Sequence, residues 1–302
     1  MKVVLSGIFY PVAILRYFEA ALRRRNDVEL FTVGPYTGRW IPWGMVLPEK
    51  YVPSVPDFAM PEVPSGRLAP IALAEARLPW QPDIWIHVDS TWSFSGKPKH
   101  GVNVIIATDP HCINYDRCRP YADYFFNMQK VYSKPGDIWL PYAYDPIWHK
   151  WMDLLKTIDV ALLGMPYVQR AKLVDALRAK GISVRYELGV CYDDARDVYN
   201  SARIGLNWSS LLDLNARVFE VSAMSCVPVL NHVPDLDSFL TEGSEYIGFD
   251  TVDEAVERIS LVLQSSSLCE AIAYSSAIRI AGNTYDARIQ QIFDTIGGKC
   301  QT

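Results

Sequence analysis

Apolar residues fall into short unbroken runs separated by amphipathic stretches, and this alternation predicts an α/β fold. Residues 1–6 form the first run. Over 12–25, Ile14, Leu15, Phe18, Ala21 and Leu22 recur at helical spacing and end in Arg23, Arg24 and Arg25, where a helix dipole favours cations. A second apolar run at 28–33 completes a βαβ opening. Its Gly7 turn leaves the carboxyl end of the first strand, and suits either close approach to a ligand or a plain strand-to-helix turn. From Pro35 to Pro82 prolines interrupt every longer pattern, so this stretch reads as loops around one short helix at 69–76. Runs at 83–88 and 102–107 return the chain to a parallel sheet, followed by short elements at 122–129 and 138–140.

A rigid segment, Pro141-Tyr-Ala-Tyr-Asp-Pro146, opens a second alternation. Strands are predicted at 159–163, 183–188, 204–208, 227–231 and 244–249, with helices at 167–180, 192–202, 216–224 and 252–263. Two βαβ-rich halves predict two Rossmann-like domains facing each other across a cleft, 1–145 and 146–302, with the last helix available to pack back on the first.

Composition narrows the function classes. A chain of 302 residues with 29 basic and 34 acidic side chains carries a net charge of −5, so no global basic field draws it to nucleic acid or anionic membrane. No run of about 18 apolar residues suggests a spanning helix, and the start of the chain does not read as a signal peptide. Six cysteines, scattered without a CxxC or a His pair at ligand spacing, imply free thiols, a reducing cytoplasm and no metal.

The most informative segment is Asp213-Leu-Asn-Ala-Arg-Val-Phe-Glu220-Val-Ser-Ala-Met-Ser-Cys-Val-Pro-Val-Leu230. Asp213 or Asn215 suits the helix cap, and Arg217 and Glu220, three apart, project from one side of the first turns. A guanidinium and a helix N-terminus suit a pyrophosphate, and a carboxylate suits a ribose diol; the plainer alternative is a surface ion pair. Gly164-Met-Pro, at the first turn of the second half, is a further phosphate candidate because Arg170 and Lys172 follow it. Ser209, just after the strand at 204–208, joins the candidate donor set.

Asn215-Ala-Arg-Val-Phe-Glu220, the later Gly243-Ser-Glu245-Tyr, Thr251-Val-Asp-Glu-Ala and Asn283-Thr-Tyr-Asp-Ala-Arg288 resemble, in order, the C-terminal domain of the CgeB-like (spore maturation) glycosyltransferases of the GT-B superfamily. The resemblance runs from about Thr157 to Ile296 and extends more faintly to Asp109 and the 140–146 segment. It implies a GT-B arrangement, a nucleoside-diphosphate sugar bound mainly by the second domain, Glu220 on the donor ribose, Arg217 with Asn215 along the diphosphate, and no metal or other cofactor. The family usually has glycine five residues after the glutamate; here that position is Ser225.

In the first half, Thr108-Asp-Pro-His111 follows the run at 102–107, so Asp109 and His111 sit at the carboxyl edge of the sheet as candidate bases for an acceptor hydroxyl. A turn cap and a plain loop histidine are the alternatives, and the neighbouring Tyr115, Asp116, Arg117 and Arg119 suit acceptor or phosphate contacts equally well as a solvated loop. His87, enclosed by Ile86 and Val88, reads as a core histidine, with Asp89 beside it; Asp235-Leu-Asp237 reads as a helix start rather than a metal motif. Trp40, Trp43, Trp80 and Trp92 suit stacking on sugars or bases, or a core. The expected function is transfer of a hexosyl or pentosyl group to a hydroxyl of a small molecule, glycan, protein or modified base. The alternatives are a non-catalytic nucleotide- or sugar-binding module and another nucleotide-sugar enzyme such as an epimerase.

Overall fold

The computed structural model describes residues 1–41, 45–61, 68–88 and 93–297. The chain divides into two compact units, Met1–Pro141 with Tyr285–Thr302, and Tyr142–Thr284.

The first unit begins with β1 (Lys2–Ser6), α1 (Leu15–Arg23) and β2 (Glu29–Pro35). β3 (Trp40–Ile41) and β4 (Met45–Val46) make a small antiparallel ribbon, followed by β5 (Phe58–Met60). Next come β6 (Leu68–Pro70), α2 (Ile71–Glu75), β7 (Ile84–Val88), β8 (Ser93–Ser95), β9 (Val102–Ala107), β10 (Tyr124–Asn127) and β11 (Ile138–Trp139). Seven strands form one parallel sheet in the order β11-β10-β9-β7-β1-β2-β5, while β6 pairs with β8 alone. All five residues of β7 are buried, as expected of a strand covered on both faces. Strand order reverses beside β1, where a Cβ on Gly7 would overlap the Val88 carbonyl and one on Gly34 would overlap the Gly7 carbonyl. The close approach that Gly7 permits is therefore made by the chain itself. The helix α8 (Tyr285–Gly297) packs on α1: Tyr17 and Tyr285 stack at 5.0 Å, and Arg24 Nη2 pairs with Asp286 at 2.7 Å.

The second unit alternates strand and helix. It runs β12 (Ile158–Leu163), α3 (Val168–Ala179), β13 (Val184–Glu187), α4 (Tyr192–Asn200), β14 (Ala202–Asn207), α5 (Ala216–Ser222), β15 (Val227–Asn231), β16 (Ile247–Phe249), α6 (Val252–Leu263) and α7 (Ser266–Ile280). The five strands are parallel in the order β13-β12-β14-β15-β16, so the connections leave in opposite directions from β12 and β14. A reversal of this kind, at the strand carboxyl ends, is where open α/β sheets bind ligands. Val160, Leu162, Ile204, Leu206, Val227 and Val229 form the sheet's share of one core, against Leu173 and Leu177 of α3 and Ile259 of α6. Among the described residues no helix is long and apolar enough to cross a membrane.

Candidate functional site

The carboxyl ends of β12 and β14 flank the reversal in the second unit, and α5 is held beside them by a glycine. A Cβ on Gly205 of β14 would overlap Val221 Cγ1 and come within 2.8 Å of Cys226 Sγ, so only glycine lets α5 seat this closely. Val218, Phe219, Glu220 and Val221 are buried on that helix, and Phe219 meets Phe239 edge-on at 4.9 Å. Each apolar side chain so buried contributes about 1.5 to 3 kcal/mol, which fixes the helix face that carries the polar residues. Of the two candidate caps, Asn215 serves: its Oδ1 accepts from the Arg217 N–H at 3.1 Å and from Asn207 Nδ2 at 3.3 Å. Asp213 instead braces the loop, its N–H donating to Ser209 Oγ at 3.0 Å while the Ser209 hydroxyl donates back to its carboxylate.

A chain of polar contacts joins the two strand ends to α5. Arg170, buried on α3, donates from Nε to the Trp208 carbonyl (2.9 Å), from Nη1 to the Met165 carbonyl (3.2 Å) and from Nη2 to Asn207 Oδ1 (3.4 Å). Gly164 makes room for this guanidinium, since a Cβ there would stand 3.0 Å from Arg170 Nη1, and its φ of +142° lies where other residues are strained. Arg217 lies 5.4 Å from the Tyr199 ring centroid, and its Nη1 pairs with Glu220 Oε2 at 3.1 Å. Tyr199 in turn accepts the Leu163 N–H at 3.1 Å, tying the ring to the end of β12.

Arg217 pairs with Glu220, Arg170 lies close enough to Arg217 to feel its like charge, and the acceptors of Arg170 named above are all neutral. Burial, and after it the like charge of Arg217, lower the Arg170 pKa below the usual guanidinium range. Glu220 is only 6% exposed, against 27% for the Arg217 side chain, so a buried acceptor lies next to a cation that reaches solvent. His149, which sequence reasoning missed, places Nε2 3.6 Å from Glu220 Oε1. A separation of 71 positions between them leaves no local signal in the sequence.

Other predicted residues fall outside this network. Ser209 acts as a brace, its N–H donating to Asn231 Oδ1 at 2.6 Å at the end of β15. Ser225 lies at the opposite, amino edge of the sheet just before β15, where its Oγ accepts from Lys156 Nζ at 2.7 Å and its N–H donates to Asn200 Oδ1 at 3.1 Å. The departure from glycine therefore touches a structural knot and leaves the carboxyl edge unaltered. Asp235 has φ +66° before the short turn Leu236–Ser238, and Asp237 accepts from the Tyr246 hydroxyl at 3.4 Å.

In the first unit, Asp109 and His111 follow β9. The Asp109 carbonyl accepts from the Cys112 and Ile113 N–H groups at 3.0 and 2.9 Å, so the aspartate does form a turn, and its carboxylate accepts from the Thr108 hydroxyl at 2.8 Å. Among the described residues His111 Nδ1 is buried without a hydrogen-bond partner, and its ring lies 5.8 Å from that of Tyr132. A cavity of about 330 Å³ opens beside it, lined by Asn114, Tyr115, Asp116, Arg119, Tyr132 and Lys134. Within the cluster Arg119 pairs with Asp137, and Lys134 with Asp116 at 2.5 Å. His87 is a core histidine, 4% exposed, with Nδ1 2.9 Å from Ser6 Oγ. Trp80 packs edge-on to Phe31 and Trp40 is partly exposed, whereas Trp43, Asp89 and Trp92 lie outside the described residues.

Residues 147–294 match the family model described as "Glycosyl transferase-like". Among solved structures the chain is similar to Anabaena Alr3699/HepE in complex with UDP and glucose, at TM-score 0.67 and 13% identity over 99% of this chain and 100% of that one. It is also similar to sucrose-phosphate synthase from Thermosynechococcus elongatus, at TM-score 0.64 and 9% identity over 99% and 100% of the two chains. A third likeness is to an alpha-glucosyltransferase in complex with UDP-glucose and DNA containing an abasic site, at TM-score 0.61 and 14% identity over 98% and 99%. Comparison with curated proteins gives no match. The chain shares the fold of the GT-B glycosyltransferase structures it matches, and residues 147–294, just under half of the chain, match the glycosyl transferase-like model.

Proposed function

We propose that this GT-B chain is a glycosyltransferase that moves a hexosyl or pentosyl group from a UDP-sugar to an acceptor hydroxyl, holding UDP in the Tyr142–Thr284 unit, and that it is a CgeB-like member of the superfamily. The observation that carries this reading is the pairing of Arg217 with buried Glu220 at the strand reversal, next to a second guanidinium that has neutral partners. An excess of positive charge beside a buried carboxylate suits a ligand with an anionic and a diol end. The family match over 147–294 and the UDP in the names of similar structures support the same ligand class.

Arg217, reinforced by the field of Arg170, neutralises the departing diphosphate, and Glu220 accepts hydrogen bonds from the ribose hydroxyls. Asn215 caps the helix that carries both, and Gly164 and Ser209 shape the loops around the phosphates. In transfer, the bond from the anomeric carbon to the diphosphate oxygen breaks and a bond to the acceptor oxygen forms. The acceptor proton passes to Asp109 or His111 of the first unit, and UDP leaves. Because cationic side chains supply the neutralisation, no metal is required; a cytoplasmic setting fits the free thiols.

A UDP-release assay over a panel of UDP-sugars, run with and without EDTA and followed by mass analysis of products, tests the proposal. The expected result is chelator-resistant UDP release and a glycoside, with slow hydrolysis when no acceptor is present. An epimerised sugar nucleotide, or tight binding without any release, would overturn it in favour of an epimerase or a binding module.

A further inference from the structure

We infer that His149 is a positioning residue for the donor site, holding the Glu220 carboxylate in the orientation that receives the ribose diol; the inference rests on the donor-site reading above. The imidazole is set by its own loop. Asp145 is fully buried, and its Oδ1 accepts from the N–H groups of Ile147 at 2.9 Å and Trp148 at 3.2 Å, a turn for which Pro146 presets the backbone. The His149 N–H donates to the Asp145 carbonyl at 2.8 Å, and the Asp145 N–H donates to His149 Nδ1 at 3.0 Å.

A backbone N–H aimed at Nδ1 requires a lone pair there, so the ring is neutral and its proton sits on Nε2. That Nε2–H faces Glu220 Oε1 at 3.6 Å, while Arg217 Nη1 takes Oε2 at 3.1 Å from the other side. His149 and Glu220 are both less than a tenth exposed, so neither ring nor carboxylate has solvent to replace the other. The division of labour follows from burial. Arg217 reaches solvent and is the group that turns toward a diphosphate, whereas His149 cannot leave, so it keeps Glu220 aimed when Arg217 is engaged elsewhere. The 3.6 Å separation is within the range over which such contacts tighten when ligand binds.

Because the positioning role of His149 runs through Glu220, its loss is expected to appear in how well the protein tells ribose from deoxyribose. Calorimetry with UDP and 2′-deoxyuridine diphosphate reads this directly. Wild type is expected to prefer UDP by roughly 10- to 100-fold, the worth of a charge-assisted hydrogen bond. His149→Ala should lose about 3- to 30-fold in UDP affinity while binding of the deoxy compound changes by less than about threefold, so the preference collapses. His149→Gln, whose amide nitrogen can stand near the position of Nε2, should recover most of it, and carries the test if the alanine variant does not fold. An unchanged preference in both variants, or equal losses for both nucleotides, would overturn the inference while leaving the donor reading intact. Absence of any preference in wild type and in Glu220→Gln would remove the donor reading itself, and the inference with it.

Discussion

The carboxyl edges of the two sheets are built in different ways. In the second unit, residues from β12, α3, β14 and α5 hold one another: Arg170 links the loop after β12 to that after β14, Asn207 meets Asn215, and Arg217 pairs with Glu220. In the first unit, Asp109 and His111 sit on the loop after β9, beside a cavity. The Thr108 hydroxyl holds the carboxylate, the Tyr115 hydroxyl accepts from the Thr108 N–H at 3.1 Å, and His111 Nδ1 has no partner among the described residues. A network shared among rigid elements is organised before its ligand arrives, which favours one invariant ligand, whereas a loop beside an open cavity can serve varied ones. This contrast fits the proposed assignment of the nucleotide to the second unit and of acceptor contacts to the first.

The largest expected effect tests the looser edge. If Asp109 or His111 takes the acceptor proton, alanine at that position should lower kcat by roughly 10² to 10⁴-fold while UDP affinity stays nearly unchanged, because a base acts mainly in the transition state. Steady-state kinetics paired with calorimetry would check this. A parallel fall in rate and UDP affinity would move the residue to the donor side, and two variants with normal turnover would end its catalytic assignment.

A smaller effect separates packing from chemistry. Gly205→Ala forces a methyl against Val221 and Cys226 and should destabilise by about 1 to 3 kcal/mol, with α5 displaced and UDP binding weakened. Gly7→Ala, which meets the Val88 carbonyl, should lower stability by a similar amount and spare UDP affinity. Thermal unfolding and calorimetry on both variants would blur the contrast if UDP affinity responded equally to each.

The smallest effect concerns the outer strands of the second unit. His232 bonds Asp250 at 2.9 Å and Glu242 at 3.2 Å; burial opposes its charge, but these hydrogen bonds more than offset it and the pKa is raised. A raised value means the stabilisation is fully present below the unfolded pKa of about 6.5 and is lost as pH rises through the folded value. Melting temperatures of wild type and His232→Gln should therefore differ more at pH 5.5 than at pH 9. A constant difference across that range would show that the pair is not linked to folding.

Much of the second unit was legible because its strands are covered on both faces and so read as continuous apolar runs: 159–163 and 227–231 agree closely with β12 and β15. Helix α6 matches its predicted span because Thr251 caps it, its hydroxyl accepting from the Glu254 N–H at 3.2 Å. Helix α7 left no stripe to read, since Tyr274 and Ile278 are exposed while Ser276 is buried. In the proline-rich stretch β5 was missed, and Leu68–Pro70 proved to be a strand paired with Ser93–Ser95, a contact no local pattern encodes. At the candidate site, the i,i+3 spacing predicted that Arg217 and Glu220 share one side of α5, as their pairing shows, but whether the pair is exposed depends on Gly205 burying α5. The role of His149 depended on a tertiary contact in the same way.

The central claim is that Glu220 is a ligand-binding carboxylate and more than a partner for Arg217. Calorimetric titration of UDP into wild type and Glu220→Gln tests it most directly, with circular dichroism confirming that the fold is kept. The account predicts weaker UDP binding in the variant by roughly 1 to 3 kcal/mol, as a neutral amide replaces a charged acceptor for the ribose hydroxyls. Equal affinity for UDP in the two proteins would contradict it.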